Sequence, residues 1–320
     1  YTKKMLYTIK KSFATHEIQR GLHSLYFEEY GTPSGIPVIF LHGGPGSGCS
    51  ESQKALFNNS KYRVIFLDQR GAGRSKPYRF LKDNKTYLLI EDIEAIRTYL
   101  DIKRWLVVGG SWGATLAIAY AERFPDSVKR IVIRALFLGT KKEIEWAFLE
   151  APRIFKPKLL NELNNLIKND YNISPIYKLG EMLESNNSSL QSLGSRLWQA
   201  FEASLASINS ENYDFKNLKK NQNFDTAEDL PNTPFLEWHY IKNNFFLEDE
   251  ELIKNKKILK NIPITIIQGG YDLLCPPNTS YQFIDGLNKA EIINVSAAGH
   301  YITDPGIKNK LREAIDGNKY

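Results

Sequence analysis

Short apolar runs alternate with amphipathic segments along the first 135 residues. Four apolar residues lie on one predicted helical face: Leu89, Ile93, Ile96 and Leu100. Before and after this helix come runs rich in β-branched and aromatic residues, which predict strands: LHSLYFEEY (22–30), leading into the turn GTPSGIP, then PVIFLH (37–42), RVIFLD (63–68), WLVVGG (105–110) and VKRIVIRA (128–135). Alternation of strand and helix predicts a mostly parallel, twisted sheet flanked by helices.

The pattern changes from about residue 140 to residue 255. Asn, Lys, Glu and Leu dominate there, and helical stretches such as EIEWAFLEA and RLWQAFEASL are separated by Asn- and Ser-rich joints. Strand signals return in IPITIIQGG (262–270) and AEIINVSAAG (290–299), followed by a helix from Ile307. We therefore predict one α/β domain made of residues 1–139 and 256–320, interrupted by a helical cap at residues 140–255.

Composition and charge narrow the range of partners. A chain of 320 residues with 42% hydrophobic content can bury a substantial core, so disorder is excluded. The formal charge of +6 is spread along the chain, and no apolar stretch is long enough to cross a bilayer, so we expect neither nucleic-acid nor membrane partners. Only two cysteines, Cys49 and Cys275, are present, and no signal peptide is visible, which favours the reducing cytoplasm. The oligomeric state stays open.

A serine lies at the joint between a predicted strand and a predicted helix. The segment Gly109-Gly110-Ser111-Trp112-Gly113 matches the G-x-S-x-G pattern in the strand-to-helix context that makes it informative. Such a turn exposes the Ser111 Oγ at the carboxyl end of the sheet and leaves the Trp112 amide free to face a developing oxyanion. The alternative is a glycine-rich turn with an idle serine, whereas the spacing does not fit a dinucleotide-binding G-x-G-x-x-G.

A histidine and an aspartate follow the last two predicted strands. His300 comes directly after the final strand, and Asp272 follows the strand before it, so both are expected at the same sheet edge as Ser111. Asp272 could hold the His300 imidazole in the tautomer that accepts a proton from the serine. The chain order Ser, Asp, His is the order of an α/β-hydrolase triad.

Acyl transfer to Ser111 needs a second oxyanion donor besides the Trp112 amide. The stretch HGGPGSG follows the first inner strand, and its small residues let the backbone approach a substrate carbonyl, which favours Gly43 or Gly44 as the donor. A metal is not expected, because the sequence HEIQR at residues 16–20 has no second histidine at the spacing of a zinc helix. No cofactor is expected either.

Five stretches of the chain resemble successive signatures of the proline iminopeptidases, or prolyl aminopeptidases, of the α/β-hydrolase superfamily: HGGPGSG (42–48), DQRGAGRS (68–75), GGSWGATLAIAYAERFP (109–125), YDLLCP (271–276) and GHYITDPG (299–306). The resemblance implies the α/β-hydrolase fold with an inserted helical cap. It also implies removal of N-terminal proline from peptides through Ser111, His300 and Asp272, with a prolyl-enzyme intermediate and without a metal.

The cap of that family supplies acidic residues that bind the free amino terminus. The resemblance assigns this role to Glu202, four residues after Trp198, and to Glu237, although Trp238 stands where the family usually has Asn. Aromatic side chains could wall the pocket for a pyrrolidine ring, with ordinary core packing as the alternative: Phe137, Trp146, Tyr240, Phe245 and Phe246.

Three other functions compete with this interpretation. A general esterase, lactonase or amidase would keep Ser111, Asp272 and His300 but would not prefer a free N-terminal amine. Epoxide and haloalkane hydrolases normally carry an aspartate at the position of Ser111, which disfavours them. A binding protein without catalytic activity on the same fold would not need the three residues together.

Overall fold

A central eight-stranded sheet organises the computed structural model, which describes residues 6–208, 215 and 230–317. Its order is β1-β2-β4-β3-β5-β6-β7-β8; β1 and β2 are antiparallel to their neighbours, and all other pairs are parallel. The mostly parallel sheet predicted from the sequence is confirmed. The strands are β1 (Ala14–Arg20), β2 (His23–Gly31), β3 (Ile36–Leu41), β4 (Tyr62–Leu67), β5 (Trp105–Ser111), β6 (Val128–Leu136), β7 (Ile264–Gly269) and β8 (Ala290–Val295).

The edge strand β1 was not predicted from the sequence. It pairs with β2 in antiparallel register, with Ala14 opposite Glu29 and Arg20 opposite His23. Its residues alternate between partly buried and exposed, and Ile18 is the only large apolar residue in ATHEIQR. A half-exposed edge strand needs few apolar residues, so its hydrophobic signal is weak.

Helices flank the sheet and fill the stretch between β6 and β7. A five-residue π turn at residues 146–150 joins α3 to α4. Within the described ranges the α-helices are α1 (Thr86–Tyr99), α2 (Trp112–Arg123), α3 (Lys141–Glu145), α4 (Ala151–Phe155), α5 (Pro157–Ile167), α6 (Pro175–Glu184), α7 (Ser188–Ala206), α8 (Thr233–Lys242), α9 (Glu251–Asn255), α10 (Pro277–Ile284) and α11 (Ile307–Asp316). The predicted cap, residues 140–255, contains α3 to α9; its residues 209–214 and 216–229 lie outside the described part of the chain.

The inner strands are buried on both faces. In β3, Ile39 and Leu41 pack into a core that includes α1 and α2, while Val38 and Phe40 point the other way, into a core that includes α11. This alternation follows from the two-residue period of a strand. Burying each such side chain contributes about 1.5–3 kcal/mol, so helices on both faces stabilise the sheet.

The helices between β6 and β7 pack through small residues as well as large ones. In α6, a Cβ at Gly180 would lie 2.4 Å from the Trp238 ring of α8, so the glycine allows the indole to fit between helices. Trp238 also packs edge-on against Tyr177 and Trp198. Within the described residues, no helix is long and apolar enough to cross a membrane.

Candidate active site

Ser111 occupies a sharp turn between β5 and α2. Its backbone has φ +54° and ψ −126°, a strained conformation for a residue with a side chain. Two glycines make the turn possible: a Cβ at Gly109 would lie 2.4 Å from the Gly113 carbonyl oxygen, and one at Gly113 would lie 2.1 Å from that of Leu41. The strain therefore holds the Ser111 side chain at the carboxyl end of the sheet, where it lines a cavity.

His300 and Asp272 form a buried pair at the same sheet edge. The His300 Nδ1 lies 2.9 Å from Asp272 Oδ2 and 3.1 Å from Oδ1. Asp272 Oδ1 also accepts the amide protons of Leu274 (3.0 Å) and Cys275 (2.8 Å), which fix the carboxylate plane. An ionised carboxylate at Nδ1 keeps the proton there, so Nε2 is left with a free lone pair that can accept a proton.

The main chain of His300 is held by two other elements. The Arg134 side chain in β6 donates to the His300 carbonyl oxygen at 2.7 Å, and the His300 amide donates to the Ala206 carbonyl oxygen at the end of α7, at 2.9 Å. Arg134 also lies against the turn before Ser111, because a Cβ at Gly110 would lie 2.8 Å from its side chain. Arg134 thus supports both the turn and the histidine loop, a role that its position in the sequence did not indicate.

The glycine-rich loop after β3 lies beside Ser111. A Cβ at Gly43 would lie 3.6 Å from the Ser111 Cβ, and Gly44 lines the same cavity as the serine. Trp112 begins α2, so its amide is one of the unpaired donors at a helix N-terminus, where the helix dipole favours negative charge. The structure therefore places both predicted sources of oxyanion donors next to Ser111.

The cavity in front of Ser111 is small, at about 50 Å³. Its wall combines apolar side chains with three carboxyl groups and is open on one side. The lining residues are Gly44, Pro45, Ser111, Phe137, Glu143, Ile144, Ala147, Phe148, Glu202, Glu237, Ile241, Phe245, Leu274 and Cys275. Its apolar residues can contact a hydrophobic ring, and its carboxyl groups can contact a cation.

Glu202 of α7 and Glu237 of α8 meet in the cavity wall. Burial raises the pKa of Glu202 to about 7, and burial together with the neighbouring Glu202 raises the pKa of Glu237 well above its usual range. The two carboxyl groups are hydrogen-bonded to each other, and Glu237 Oε2 accepts the Trp198 indole proton at 2.6 Å. Glu237 keeps its proton, which lies in the hydrogen bond to Glu202. Once Glu202 is ionised, the pair therefore carries a single negative charge.

The third carboxyl group of the wall, that of Glu143, has a structural role. It accepts hydrogen bonds from the Leu138 amide, the Thr140 amide and the Thr140 hydroxyl, and thereby caps α3. Burial raises its pKa. The sequence analysis did not single out Glu143, although Thr140 and Glu143 have the spacing of a capping box, which is a readable signal.

The predicted aromatic residues occupy different places. Phe137 and Phe245 line the cavity, with ring centroids 5.0 Å apart. Trp146 lies outside the lining and donates its indole proton to the Leu273 carbonyl oxygen at 3.0 Å. Tyr240 packs against Trp112 behind the cavity, and its hydroxyl donates to Asn84. Phe246 packs against Tyr240, also outside the lining. Besides Glu143, the lining residues that were not predicted are all apolar: Ile144, Ala147, Phe148, Ile241 and Leu274.

One group of potential metal ligands occurs among the described residues. Donor atoms of Asp272, Cys275 and His300 lie within 4.8 Å of one another. Two of these residues are already paired with each other, and burial raises the pKa of the Cys275 thiol, which keeps it protonated. A protonated thiol and an engaged imidazole nitrogen are poor metal ligands, so we assign this group to the catalytic arrangement.

Comparisons with known proteins agree with this geometry. Residues 36–306 match the family model of the alpha/beta hydrolase fold. The chain is 36% identical to the proline iminopeptidase of Arabidopsis thaliana over 97% of its own length and 80% of that protein's, and 35% identical to a probable proline iminopeptidase of Leptolyngbya boryana over 92% and 90%. A solved α/β-fold hydrolase from Bacillus anthracis superposes with a TM-score of 0.63 at 20% identity, covering 96% of this chain and 99% of that one. The resemblance and the fold class predicted from the sequence are confirmed: the chain belongs to the proline iminopeptidase family of serine exopeptidases with the α/β-hydrolase fold.

Proposed function

We propose that this protein releases N-terminal proline from peptides by two successive acyl transfers on Ser111. The observation that carries the proposal is the pair of buried cap carboxyls, Glu202 and Glu237, in the wall of a small apolar cavity that also contains Ser111. In this proposal residues 140–255 act as a cap over a core made of residues 1–139 and 256–320. The relatives named proline iminopeptidases support peptides with a free N-terminal proline as substrates.

The first acyl transfer forms a prolyl-enzyme. His300 Nε2 takes the Ser111 proton as Oγ attacks the proline carbonyl carbon, and the resulting oxyanion is stabilised by the Trp112 amide and an amide of the loop at Gly43 and Gly44. When the tetrahedral intermediate collapses, the C–N bond breaks and His300 gives its proton to the leaving amine. Asp272 keeps the imidazole oriented and stabilises its protonated form.

The second acyl transfer uses water. His300 takes a proton from the water molecule as its oxygen attacks the ester carbonyl, and the new oxyanion uses the same two donors. Collapse breaks the ester bond, returns the proton to the Ser111 oxygen and frees proline. The enzyme is then ready for another peptide.

The cap carboxyls explain why a free N-terminus would be required. A cationic imino group loses hydration on entering an apolar cavity, and the single negative charge of the Glu202 and Glu237 pair compensates for that loss. An internal or acylated proline has no cation, so its binding would leave the buried negative charge unpaired. The small cavity favours a compact ring over a long side chain.

Kinetics with p-nitroanilides and an ester test this recognition. We expect Glu202→Gln to lower kcat/KM for proline p-nitroanilide at least about 30-fold, because it removes the negative charge that pairs with the imino cation while Glu237 stays protonated, and to leave p-nitrophenyl acetate hydrolysis unchanged. Glu181→Gln, on the exposed side of α6, is the matched control and should change neither. N-acetylproline p-nitroanilide should be cleaved poorly by all three proteins.

The competing function is a general esterase, lactonase or amidase that uses the same Ser111. Hydrolysis of the ester without a preference for free proline would support it, as would equal losses on both substrates in Glu202→Gln. Either result would leave Glu202 and Glu237 without the proposed role.

A further inference from the structure

Gln69 joins the ends of three neighbouring strands. It lies in the segment DQRG just after β4, while His42 follows β3 and Trp112 follows β5. Its Oε1 accepts the Trp112 indole proton at 2.9 Å, and its Nε2 donates to the His42 carbonyl oxygen at 2.9 Å. All three residues are buried, so both ends of the Gln69 amide are used to bridge across β3.

The His42 ring transmits this connection to the glycine-rich loop. The Gln69 backbone amide donates to His42 Nε2 at 3.0 Å, so Nε2 is the unprotonated nitrogen and the proton is on Nδ1. Nδ1 then donates to the Gly43 carbonyl oxygen at 2.9 Å. Burial lowers the pKa of His42, which keeps the ring neutral and in this tautomer.

Fixing the Gly43 carbonyl also fixes the next amide. The peptide bond between Gly43 and Gly44 is trans and planar, so the Gly43 C=O and the Gly44 N–H point in opposite directions. With the oxygen held by His42, the Gly44 N–H points in the opposite direction within the same peptide plane. Gly44, and not Gly43, lines the cavity with Ser111, which identifies the Gly44 amide as the loop's oxyanion donor.

We propose that Gln69 is a positioning residue that sets the Gly44 amide relative to the Trp112 amide, so that both donors face the oxyanion formed on Ser111. Trp112 anchors one end through its indole, and the His42 ring and carbonyl anchor the other. The inference rests on the proposed Ser111 chemistry but not on the preference for proline.

Steady-state kinetics of Gln69→Leu test the positioning role. The leucine side chain is apolar and of similar size, so it removes both side-chain hydrogen bonds while filling the space. We expect kcat to fall about 10- to 100-fold for both proline p-nitroanilide and p-nitrophenyl acetate, since a displaced oxyanion donor loses much of its effect, and KM to stay within about twofold. Tyr62→Phe, which removes a buried hydrogen bond to the Ile315 carbonyl oxygen far from Ser111, is the matched control and should leave kcat unchanged.

Two inhibitors separate an effect on the oxyanion from an effect on binding. Pyrrolidine-2-boronic acid forms a bond from Ser111 Oγ to boron, with the serine proton passing to His300, and places a boron-bound oxygen at the oxyanion position. Prolinol has no electrophile and cannot make that bond. Gln69→Leu should weaken inhibition by the boronic acid by the same factor as kcat and leave inhibition by prolinol unchanged.

Trp112→Phe supplies a second variant, because it removes the indole donor together with part of the ring and keeps the backbone amide. We expect a smaller fall in kcat than for Gln69→Leu, and little further loss when the two substitutions are combined.

Two results would overturn the inference: an unchanged kcat in folded Gln69→Leu, or equal weakening of both inhibitors. If Gln69→Leu does not fold, an unchanged kcat in Trp112→Phe would overturn it. If the wild type cleaves the acetate but not the proline anilide, the proline preference has failed, while the acetate kinetics still decide the role of Gln69.

Discussion

Glu202→Gln should stabilise the protein at neutral and alkaline pH while impairing its function. In the wild type, Glu202 lies partly buried beside the buried Glu237, and desolvation raises its pKa from 4.5 to about 7. A glutamine occupies nearly the same volume but never ionises. The variant should therefore avoid the cost of a buried negative charge and should bind the cationic terminus of a substrate more weakly.

The magnitude follows from the difference between the folded and unfolded pKa values. A raised carboxyl pKa means that the unfolded chain ionises first, so the wild type loses stability as the pH rises from about 4.5 to about 7 and keeps that loss above it. At about 1.36 kcal/mol for each pKa unit, the loss approaches about 3 kcal/mol, an upper limit because Glu202 is partly open to the cavity. Below pH 4.5 the contribution of Glu202 vanishes.

Urea unfolding at several pH values measures this effect. The free energy of unfolding of Glu202→Gln minus that of the wild type should increase by up to about 3 kcal/mol between pH about 4.5 and pH about 8. Groups far from Glu202 cancel in this difference, whereas Glu237 loses the neighbour that helps to raise its pKa, which makes the figure an upper limit. The exposed Glu181→Gln substitution should give a flat difference. A flat difference for Glu202→Gln, or one that decreases with pH, would refute the assignment of a buried carboxyl with a raised pKa.

Two further substitutions, with a third as a control, test the packing around the site. Asn232→Ala should lower the free energy of unfolding by about 1–3 kcal/mol, because its side-chain amide donates to the buried carbonyl oxygens of Gly46 (2.9 Å) and Gly71 (3.1 Å); denaturation at the wild-type midpoint would contradict this. Gly113→Ala should cost more than about 3 kcal/mol or prevent folding, since the new Cβ would lie 2.1 Å from a backbone oxygen of β3. Gly21→Ala, where a Cβ meets nothing within 4 Å, should cost about 1–2 kcal/mol for its positive φ, and equal effects of the two alanines would show that the close approach is tolerated.

The local pattern of apolar residues along the sequence was sufficient to predict most of the sheet. The five strands β3 to β7 contain continuous apolar runs because inner strands of a mostly parallel sheet are buried on both faces, and the strand-to-helix turn at Ser111 follows from its glycines. The edge strand β1 was missed because one exposed face leaves few apolar residues. Its placement depends on pairing with β2, which is set by tertiary structure and not by local propensity.

The cavity wall was harder to predict than the proposed triad. Ser111, Asp272 and His300 follow strand ends, so topology alone places them at one edge. Whether an aromatic residue faces the cavity depends on how cap helices rotate and pack: Phe148 faces it, whereas Trp146, two residues earlier, turns to the Leu273 carbonyl. Such orientations have no signal in a single sequence.

The polar contacts that hold the residues around Ser111 in place cannot be predicted from the sequence either. Arg134 lies within a strand, and Gln69 lies in a segment recognised only by its resemblance to the family. Their roles depend on partners far along the chain, the His300 carbonyl and the Trp112 indole. Only the folded arrangement shows which strand ends each of them connects.

The central claim is that Ser111 releases an N-terminal proline whose imino group is free. Its most direct test is mass spectrometry of the products formed from the tripeptide Pro-Gly-Gly and from its N-acetylated form, with wild type and Ser111→Ala. We predict that the wild type converts only the free peptide, yielding proline and Gly-Gly, and that Ser111→Ala converts neither. Cleavage of the acetylated peptide at a comparable rate, or release of proline by Ser111→Ala, would contradict the account.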